Sequence, residues 1–407
     1  MSILVVNAGS SSVKFGLFDF DTLRPTWRGM LDRSAHTEHA TLTLQPERGE
    51  PVHAQIEAGD YRAGVVAAME LLRRAMAAHG PAGDARDIRA VGHRLIHGGE
   101  EIRTPVRIDA AMKQTIAKYR HLAPLHIPPG LEAIEATEAA LPGVFQAGVF
   151  DTAFFAGIPD YIYLYPVPYE WYSQWGIRRF GFHGTSHAYC AGRTAEMLGR
   201  DPVGLRIVIC HLGQGSSATA VRDGVAVTNT MGFTPLEGFM MGTRCGTVDP
   251  GILLYVMREK GLSLAQVDEA LHHKSGLLGL SGVSSDFRRV EQSAAEGHAR
   301  SQLALDVYAY RVRTMIGALA VTLGGLDALV FTGGIGENSR RLRADVCRGL
   351  ECLGVRLDAQ RNDSCTPDAD VSADNAAVRV LVIHTREDFM IARQTRQLWL
   401  EASAAGR

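Results

Sequence analysis

The chain has 407 residues, enough for two or more domains, and its 46% hydrophobic and 21% charged residues are typical of an ordinary globular protein. A formal net charge of −2 offers no basic surface for nucleic acid or an anionic membrane, and no apolar run approaches the length of a membrane span. No signal peptide is evident at the N-terminus. The six cysteines form no Cys-x-x-Cys pair, so we expect reduced thiols in a cytoplasmic protein.

The chain opens with the pattern of a strand, a Gly/Ser turn and a second strand. Residues 3–6 form a short apolar run, and residues 13–17 then alternate apolar with polar or small side chains. The turn between them contains Gly9 and three serines, whose backbone N–H groups and hydroxyls can face an anion, and Lys14 adds a positive charge. The same residues also suit an ordinary hairpin.

Strands are expected to dominate the chain to about residue 44, followed by a polar loop over residues 47–60. Apolar residues at helical spacing predict an amphipathic helix over residues 62–79. Three further features are expected in the first half: a strand entering a Gly-rich loop at 90–99, a proline-rich turn at 121–130 before a helix, and a strand ending at 149–152.

The second half repeats the opening pattern at residues 206–224, where an apolar strand enters a Gly/Ser turn and a small-residue strand leaves it. A third glycine cluster covers residues 331–338. The similarity predicts an internal duplication, with one phosphate-binding turn in each half, facing each other across a cleft. None of these turns fits the Walker pattern, so the chain is not expected to be a P-loop enzyme.

A long helix is predicted over residues 301–323, then a buried strand over 378–383 and a closing helix that can pack back on the first half. Alternating strands and helices indicate an α/β fold. The buried side of the long helix is expected to contain Leu303, Val307, Tyr310, Ile316, Leu319 and Leu323.

Two arginines, Arg94 and Arg244, each lie in a Gly-rich loop. A guanidinium is a planar, permanently charged group suited to carboxylate or phosphate, so the pair indicates a doubly anionic reaction centre rather than two surface salt bridges. His183, between an aromatic residue and a glycine, is the better candidate for contact with a transferred group. His187 is more typical of an orienting or core histidine. No His-Glu-x-x-His spacing is present.

Six of these motifs resemble those of the acetate kinase family, and the resemblance runs from about residue 3 to 396. They are residues 7–14, 92–99, 150–154, 181–187, 231–244 and 333–338. The resemblance implies the duplicated α/β fold shared by acetate and sugar kinases, heat-shock 70 ATPases and actin, with two domains and a central cleft. It also implies a homodimer that reversibly transfers a phosphoryl group from ATP to acetate, with Mg²⁺ as cofactor and Mn²⁺ as an alternative.

The expected domains are residues 1–152, with the closing helix 390–407 packed on them, and residues 153–389, which would bind the nucleotide and dimerise. The resemblance assigns the metal to Asn7 and Glu387, and catalysis to Arg94, Asp151, His183 and Arg244. The residues assigned to the acyl substrate are Arg94, Ile96, Leu125, His126, Phe182 and Pro235. The residues assigned to the nucleotide are Ser10, Ser12, Lys14, His211, Gly213, Gly215, Asp286, Phe287, Arg288, Gly333, Gly334, Ile335, Gly336 and Asn338.

The residue inventory suits this reaction. A carboxylic acid with an ordinary pKa of roughly 4–5 is already an anion at neutral pH, so the reaction needs no general base. The difficulty is to bring two anions together and to stabilise charge on the phosphoryl oxygens, for which arginines, a histidine and backbone amides are suited. Asp151 is therefore expected to position other groups and not to abstract a proton.

The sequence departs from the family pattern at several positions outside the assigned chemistry, and Gln214 is expected to affect the phosphate turn most. The others are Ile127, Gly130, Phe155, Thr247 and Arg386. Propionate kinase is the alternative within the family. Ile96 favours acetate, because it is larger than the residues usual at this position in acetate and propionate kinases and leaves less room for the acid. Outside the family's activity, a silent nucleotide-binding regulator and a pyrophosphate-dependent enzyme are the further alternatives.

Overall fold

The computed structural model describes residues 1–9, 12–33, 39–57, 61–78 and 88–405. They form two compact units, one from Met1–Ala156 with Arg386–Arg407 and the other from Gly157–Thr385. None of the described helices is long and apolar enough to cross a membrane.

Groups of strands and groups of helices follow one another along the chain. In chain order the strands are β1 (Ser2–Ala8), β2 (Ser12–Asp19), β3 (Pro25–Asp32), β4 (His39–Pro46), β5 (Val52–Glu57), β6 (Ile88–Leu95), β7 (Val106–Arg107), β8 (Phe145–Phe150), β9 (Arg206–Leu212), β10 (Ser216–Arg222), β11 (Val225–Asn229), β12 (Ala328–Thr332), β13 (Ala369–Asp370) and β14 (Arg379–Val382). The helices are α1 (Tyr61–Ala78), α2 (Ala110–Lys118), α3 (Ile127–Ala140), α4 (Asp160–Tyr163), α5 (Tyr169–Trp175), α6 (Gly184–Leu198), α7 (Pro250–Glu259), α8 (Leu264–His273), α9 (Gly276–Ser281), α10 (Phe287–Ala295), α11 (Ala299–Leu323), α12 (Gly333–Asn338), α13 (Arg340–Cys347), α14 (Ala359–Asp363) and α15 (Glu387–Ala405).

Each unit contains one mixed sheet, and the two sheets share a strand order. The first sheet has the order β5-β4-β3-β2-β1-β6-β8-β7 and the second β11-β10-β9-β12-β14-β13. In both, an antiparallel meander, of five strands in the first sheet and three in the second, is followed by two strands parallel to its first strand, and an antiparallel strand forms the edge. The internal duplication and the α/β fold predicted from the sequence are confirmed.

The β1 strand is buried on both faces because its apolar run has helices on either side. Leu4 and Val6 belong to one core cluster with side chains of α1 and α3. Ile3 and Val5 belong to another with Ile391 of α15. Four consecutive apolar residues are therefore needed, since alternate side chains leave opposite faces of a strand.

The predicted helix at residues 62–79 is confirmed as α1, but two other expectations are wrong. Residues 47–60 are not all loop, because β5 pairs antiparallel with β4 at the sheet edge, where alternate side chains stay in solvent. The proline-rich segment turns into helix at Ile127, earlier than expected, because Pro128 and Pro129 occupy the first turn, where a missing N–H costs little.

The phase predicted for the long helix is also wrong in part. Leu303 and Tyr310 are 54% and 62% exposed. The buried stripe instead passes through Leu305, Tyr308 and Val312 to the correctly predicted residues near the C-terminal end. Leu303 and Tyr310 recur at nearly helical spacing with the buried residues, but they lie on the exposed side of the helix.

Candidate active site

In the first unit, strand register places three of the predicted site residues side by side. Lys14 pairs with Asn7 across β2 and β1, and Asn7 pairs with Arg94 across β1 and β6. Register partners on neighbouring strands share one face of a sheet. The predicted phosphate turn and the first arginine therefore lie at one end of this sheet. The expectation that Arg94 lies in a loop is wrong, because its backbone still pairs with both β1 and β8.

Arg94 is held by two carboxylates. Its Nη2 and Nε donate to the Asp151 carboxylate at 2.7 and 3.2 Å, and its Nη1 lies 3.4 Å from an oxygen of Glu387. Asp151 follows β8, which runs parallel to β6, and Glu387 begins α15. Burial lowers the pKa of the Arg94 guanidinium, but the two carboxylates outweigh it and hold that pKa above its ordinary value.

The oxygen atoms around Arg94 also suit a divalent cation. Magnesium is usually held in proteins by one or two carboxylates together with substrate phosphates and water, not by a cage of protein ligands. The part of the chain that the structure describes has no cluster of three or more His, Cys, Asp and Glu side chains with metal-site geometry. Glu387, whose single contact with Arg94 is long, and the amide of Asn7 next to Arg94 fit this arrangement.

In the second unit, the β9–β10 hairpin and the start of α6 bring several histidines together. His211 and Ser217 are cross-strand partners, so their side chains leave the same face. Ser217 Oγ lies 2.9 Å from Nδ1 of His183 and 2.8 Å from Nε2 of His187, and His211 Nδ1 lies 2.8 Å from Ser186 Oγ. His187 is fully buried, as expected of a core or orienting histidine.

His183 has a left-handed backbone, with φ of +60°, at the residue before α6. Residues other than glycine adopt this conformation at a cost of about 1–2 kcal/mol, and such residues concentrate at functional sites. Its ring stacks on that of His211 with centroids 4.4 Å apart. The backbone conformation and the stacking fix the direction of the imidazole.

Arg244 and His183 converge at the turn between β9 and β10. A Cβ atom built on Gly215 would lie 2.7 Å from Nη2 of Arg244 and 3.2 Å from Nε2 of His183. Arg244 Nη1 donates to the carbonyl of Pro235 at 2.7 Å. Burial lowers the pKa of Arg244, and among the described residues of this unit no carboxylate pairs with it. Arg244 is thus a cation beside the turn, with no carboxylate partner among this unit's described residues.

The predicted adenosine residues lie around the same hairpin. Gly333 has φ of +77°, and a Cβ atom there would lie 2.8 Å from the carbonyl oxygen of Leu212, so only glycine fits. The glycine cluster over residues 333–338 forms the short helix α12, which contains the other predicted residues Gly334, Ile335, Gly336 and Asn338. Phe287 packs edge-on against Tyr308, whose hydroxyl lies 2.8 Å from Ser216 Oγ, one residue after Gly215.

Some predicted residues are exposed in their own unit. Leu125 is 62% exposed, His126 is exposed just before α3, and Ile96 is half-buried directly after β6. Arg288 is largely exposed and pairs with Asp286, the N-cap of α10. The other predicted positions are Ser12 at the start of β2, Gly213 bonded through its N–H to Gly215, Phe182 with 2% exposure, and Ser10, which lies outside the described residues.

Gln214, which departs from the family pattern, contacts the loop that contains Arg244. Its side-chain oxygen lies against Gly242, where the absence of a Cβ leaves room for the longer side chain. The amide of Gly242 also faces the carbonyl of Gln214 at 3.4 Å. The extra methylene therefore rests on the loop that carries Arg244.

A polar cluster that sequence reasoning missed anchors the Arg244 loop. Arg179 Nη2 donates to a Glu237 oxygen at 2.6 Å, and the hydroxyl of Tyr165 donates to the other oxygen. The same hydroxyl accepts from the amide of Phe233 at 2.9 Å. The partners lie 58 and 72 residues apart along the chain, so no local pattern could have identified them.

Known proteins resemble this chain over nearly its whole length. The model of the Acetokinase family matches residues 2–393. An acetate kinase of Clostridium botulinum (strain 657 / Type Ba4) is 45% identical over 400 residues, which cover 98% of this chain and 99% of that protein.

Two solved structures resemble the chain over both units. The acetate kinase of Porphyromonas gingivalis has a TM-score of 0.91 at 39% identity, covering 98% of this chain and 99% of its own. A propionate kinase from Francisella tularensis subsp. tularensis SCHU S4 has a TM-score of 0.89 at 36% identity, with the same coverage.

Proposed function

The chain belongs to the acetokinase family, and from this membership we propose that it catalyses reversible phosphoryl transfer from ATP to acetate, giving acetyl phosphate and ADP. The observation that carries the proposal is the point beside Gly215, toward which Arg244 and His183 converge. An uncompensated cation and a ring nitrogen at a Gly-rich turn suit a phosphoryl group.

The acetate carboxylate attacks the γ-phosphorus in line with the leaving ADP oxygen. Acetate is already ionised at neutral pH, so no side chain removes a proton. Catalysis depends on holding two anions together and on stabilising charge at the equatorial oxygens of the phosphoryl group. Arg244 and His183 stabilise this charge, and Arg94 orients the carboxylate while Asp151 keeps the Arg94 guanidinium in place.

A divalent cation, proposed to be Mg²⁺ with Mn²⁺ as a substitute, would neutralise charge on the phosphate oxygens when bound. Asn7 and Glu387 are the proposed protein ligands, supported by the pairing of Asn7 with Arg94 across β1 and β6 and by the 3.4 Å approach of Glu387 to Arg94. Lys14, Ser10 and Ser12 are proposed to meet the phosphates from the first turn.

The nucleotide is proposed to bind in the second unit. His211, Gly213 and Gly215 line its phosphates. This is supported by the position of His211 near the end of β9 and by the small residues of the turn, whereas the Gly213 N–H already donates to the carbonyl of Gly215. The adenosine is held between α12 and the start of α10, where Phe287 and Asp286 lie. Arg288 would cover it from the solvent side.

Acetate is the proposed acyl substrate, although a propionate kinase is among the similar structures. Ile96, Leu125, His126, Phe182 and Pro235 are proposed to form the acyl pocket. The half-buried Ile96, two residues after Arg94, supports a pocket that limits the length of the acid.

Formation of acetyl phosphate tests the function directly. Protein, ATP, Mg²⁺ and acetate should yield ADP and an acyl phosphate that hydroxylamine traps as the hydroxamate, in equal amounts. Release of ADP without hydroxamate, or no turnover at all, would contradict the proposal and favour a nucleotide-binding regulator. Replacing ATP with pyrophosphate should abolish turnover.

We also propose that the second unit forms a homodimer and that the protein is cytoplasmic. Large apolar side chains are exposed on α7 and α11, among them Leu254, Tyr255, Leu303 and Tyr310. Such exposure is typical of a surface that a partner covers. All six cysteines lie within the described residues and form no disulfide, which suits a reducing compartment. Sedimentation equilibrium of wild type and Tyr310→Glu would test the dimer.

A further inference from the structure

Two adjacent serines of β10 point to opposite sides of the second sheet. Ser216 bonds with Tyr308 in the core beside α11, whereas Ser217 meets the histidines at the start of α6. Both serines are fully buried. Alternation along the strand therefore directs Ser217 alone toward His183.

The Ser217 hydroxyl lies between two imidazoles, 2.9 Å from Nδ1 of His183 and 2.8 Å from Nε2 of His187. A hydroxyl has a single proton to donate. If Ser217 donates to one histidine, the other must donate to Ser217. The position of the proton on any one of these three groups therefore determines the hydrogen-bond direction at the other two.

His187 is neutral in this arrangement. It is fully buried, and burial, together with the nearby His211, lowers its pKa well below the ordinary value. A neutral imidazole carries one N–H, which is on either nitrogen. With that proton on Nε2, His187 donates to Ser217.

His183 must donate a hydrogen bond if it contacts a phosphoryl oxygen, because such oxygens are acceptors. Its Nε2 faces the position beside Gly215. Both the neutral tautomer with the proton on Nε2 and the doubly protonated imidazolium meet this need. Arg244 lies close to the same position, and two neighbouring positive charges disfavour each other.

We propose that Ser217 is a positioning residue that donates to Nδ1 of His183, accepts from Nε2 of His187, and so holds His183 neutral with its proton on Nε2. This inference rests on the proposed function, in which His183 contacts the transferred phosphoryl group. His183 then acts as a hydrogen-bond donor of fixed direction, and Arg244 supplies the charge.

The protonation state can be measured without any activity. In protein labelled with ¹⁵N-histidine at pH 7.5, nitrogen NMR distinguishes the two neutral tautomers and the imidazolium, and a His183→Asn sample identifies the His183 signals. The expected result is a protonated Nε2 and an unprotonated Nδ1. Protonation of Nδ1, alone or together with Nε2, would overturn the proposal even if the protein is an active kinase. If the protein forms no acyl phosphate, the function fails while this spectrum still decides the tautomer.

Ser217→Ala removes the donor to Nδ1. We expect kcat to fall about 10- to 100-fold, the range for losing one buried hydrogen bond, with KM for ATP and acetate changed less than three-fold. The His183 spectrum should show both tautomers. Thr194→Val is the matched control, because it deletes another fully buried hydroxyl, on α6, that donates to the carbonyl of Cys190 and lies away from the histidines. A kcat of Ser217→Ala within three-fold of the control would overturn the proposal.

Discussion

Arg94 and Asp151 form a buried ion pair with two parallel hydrogen bonds, of 2.7 and 3.2 Å, between strands β6 and β8 of the first unit. Arg244, which lies in a Gly-rich loop of the second unit and not in a strand, bonds to a carbonyl and has no carboxylate partner among that unit's described residues. Carboxylates raise the pKa of Arg94 against the effect of burial, and burial lowers that of Arg244. The two arginines therefore have opposite electrostatic surroundings.

The first prediction is that the two arginines affect stability differently. Arg94→Met leaves Asp151, which is 1% exposed, without its main cation and should lower the free energy of unfolding by about 3–5 kcal/mol. Arg244→Met removes a cation that burial disfavours and should leave stability unchanged or raised. Urea unfolding followed by circular dichroism measures both. An equal loss in the two variants would show that Arg244 has an unrecognised ion pair.

The second prediction concerns turnover. Arg244→Ala should lower kcat about 10²- to 10³-fold, as the loss of one transition-state contact does. Arg244→Lys should not recover it, because a point charge does not replace a planar guanidinium, whereas added guanidinium should partly rescue Arg244→Ala. Arg311→Ala is the control, since exposed Arg311 bonds to the carbonyl of Thr247 near the same loop. A kcat of Arg244→Ala within a few-fold of this control would contradict the assignment.

Sequence patterns predicted the features of this fold that depend on local order. The hairpins β1–β2 and β9–β10 follow from an apolar run, a Gly/Ser turn and an alternating strand. The helix α1 follows from its apolar spacing. The edge strand β5 was missed because an exposed edge strand needs few apolar residues.

The contacts that orient the site could not be predicted, because they join distant parts of the chain. Ser217 has no distinguishing signal within the pattern at residues 206–224, because its partner His183 is 34 residues away. Glu237 lies in the Gly-rich motif at residues 231–244, where no neighbouring residue in the sequence indicates its hydrogen-bond partners. The packing of strands and loops decides which distant side chains form hydrogen bonds. Local sequence patterns do not reveal that packing.

The third prediction is that Glu387 holds the metal and contributes little to folding. Glu387→Ala leaves Arg94 its two bonds to Asp151, so stability should change by less than about 1 kcal/mol. The Mg²⁺ concentration for half-maximal activity should rise at least ten-fold, and kcat should fall. Asp388→Ala, which removes the neighbouring exposed acid of the same helix turn, is the control. A Mg²⁺ dependence equal to that of wild type would exclude Glu387 as a ligand.

The fourth prediction is a loss of stability in mild acid, caused in part by His93. This histidine is 1% exposed and donates to Gln146 at 2.6 Å, and burial lowers its pKa to about 4. Below pH 6.5 the unfolded chain binds a proton that folded His93 does not, so stability falls as pH decreases toward 4, by roughly 3 kcal/mol from this group. Urea unfolding between pH 4.5 and 7.5 should show a shallower pH slope for His93→Gln than for wild type, while exposed His53→Gln should keep the wild-type slope. Equal slopes in all three proteins would mean that His93 is not held neutral.

The fifth prediction concerns which acid the enzyme accepts. Ile96 follows β6 directly, two residues after Arg94, so a carboxylate held by the arginine would place its alkyl group near this side chain. One methylene in an apolar pocket changes the barrier by about 1–3 kcal/mol, so kcat/KM for propionate should be roughly 10- to 200-fold below that for acetate, with butyrate poorer still. Ile96→Ala removes three carbon atoms and should narrow or invert the ratio. Ile88→Ala shortens an equally half-buried isoleucine at the opposite end of the same strand and should leave the ratio unchanged. If wild type prefers propionate, or if Ile96→Ala keeps the wild-type ratio, Ile96 does not line the acyl pocket and propionate kinase becomes the better assignment.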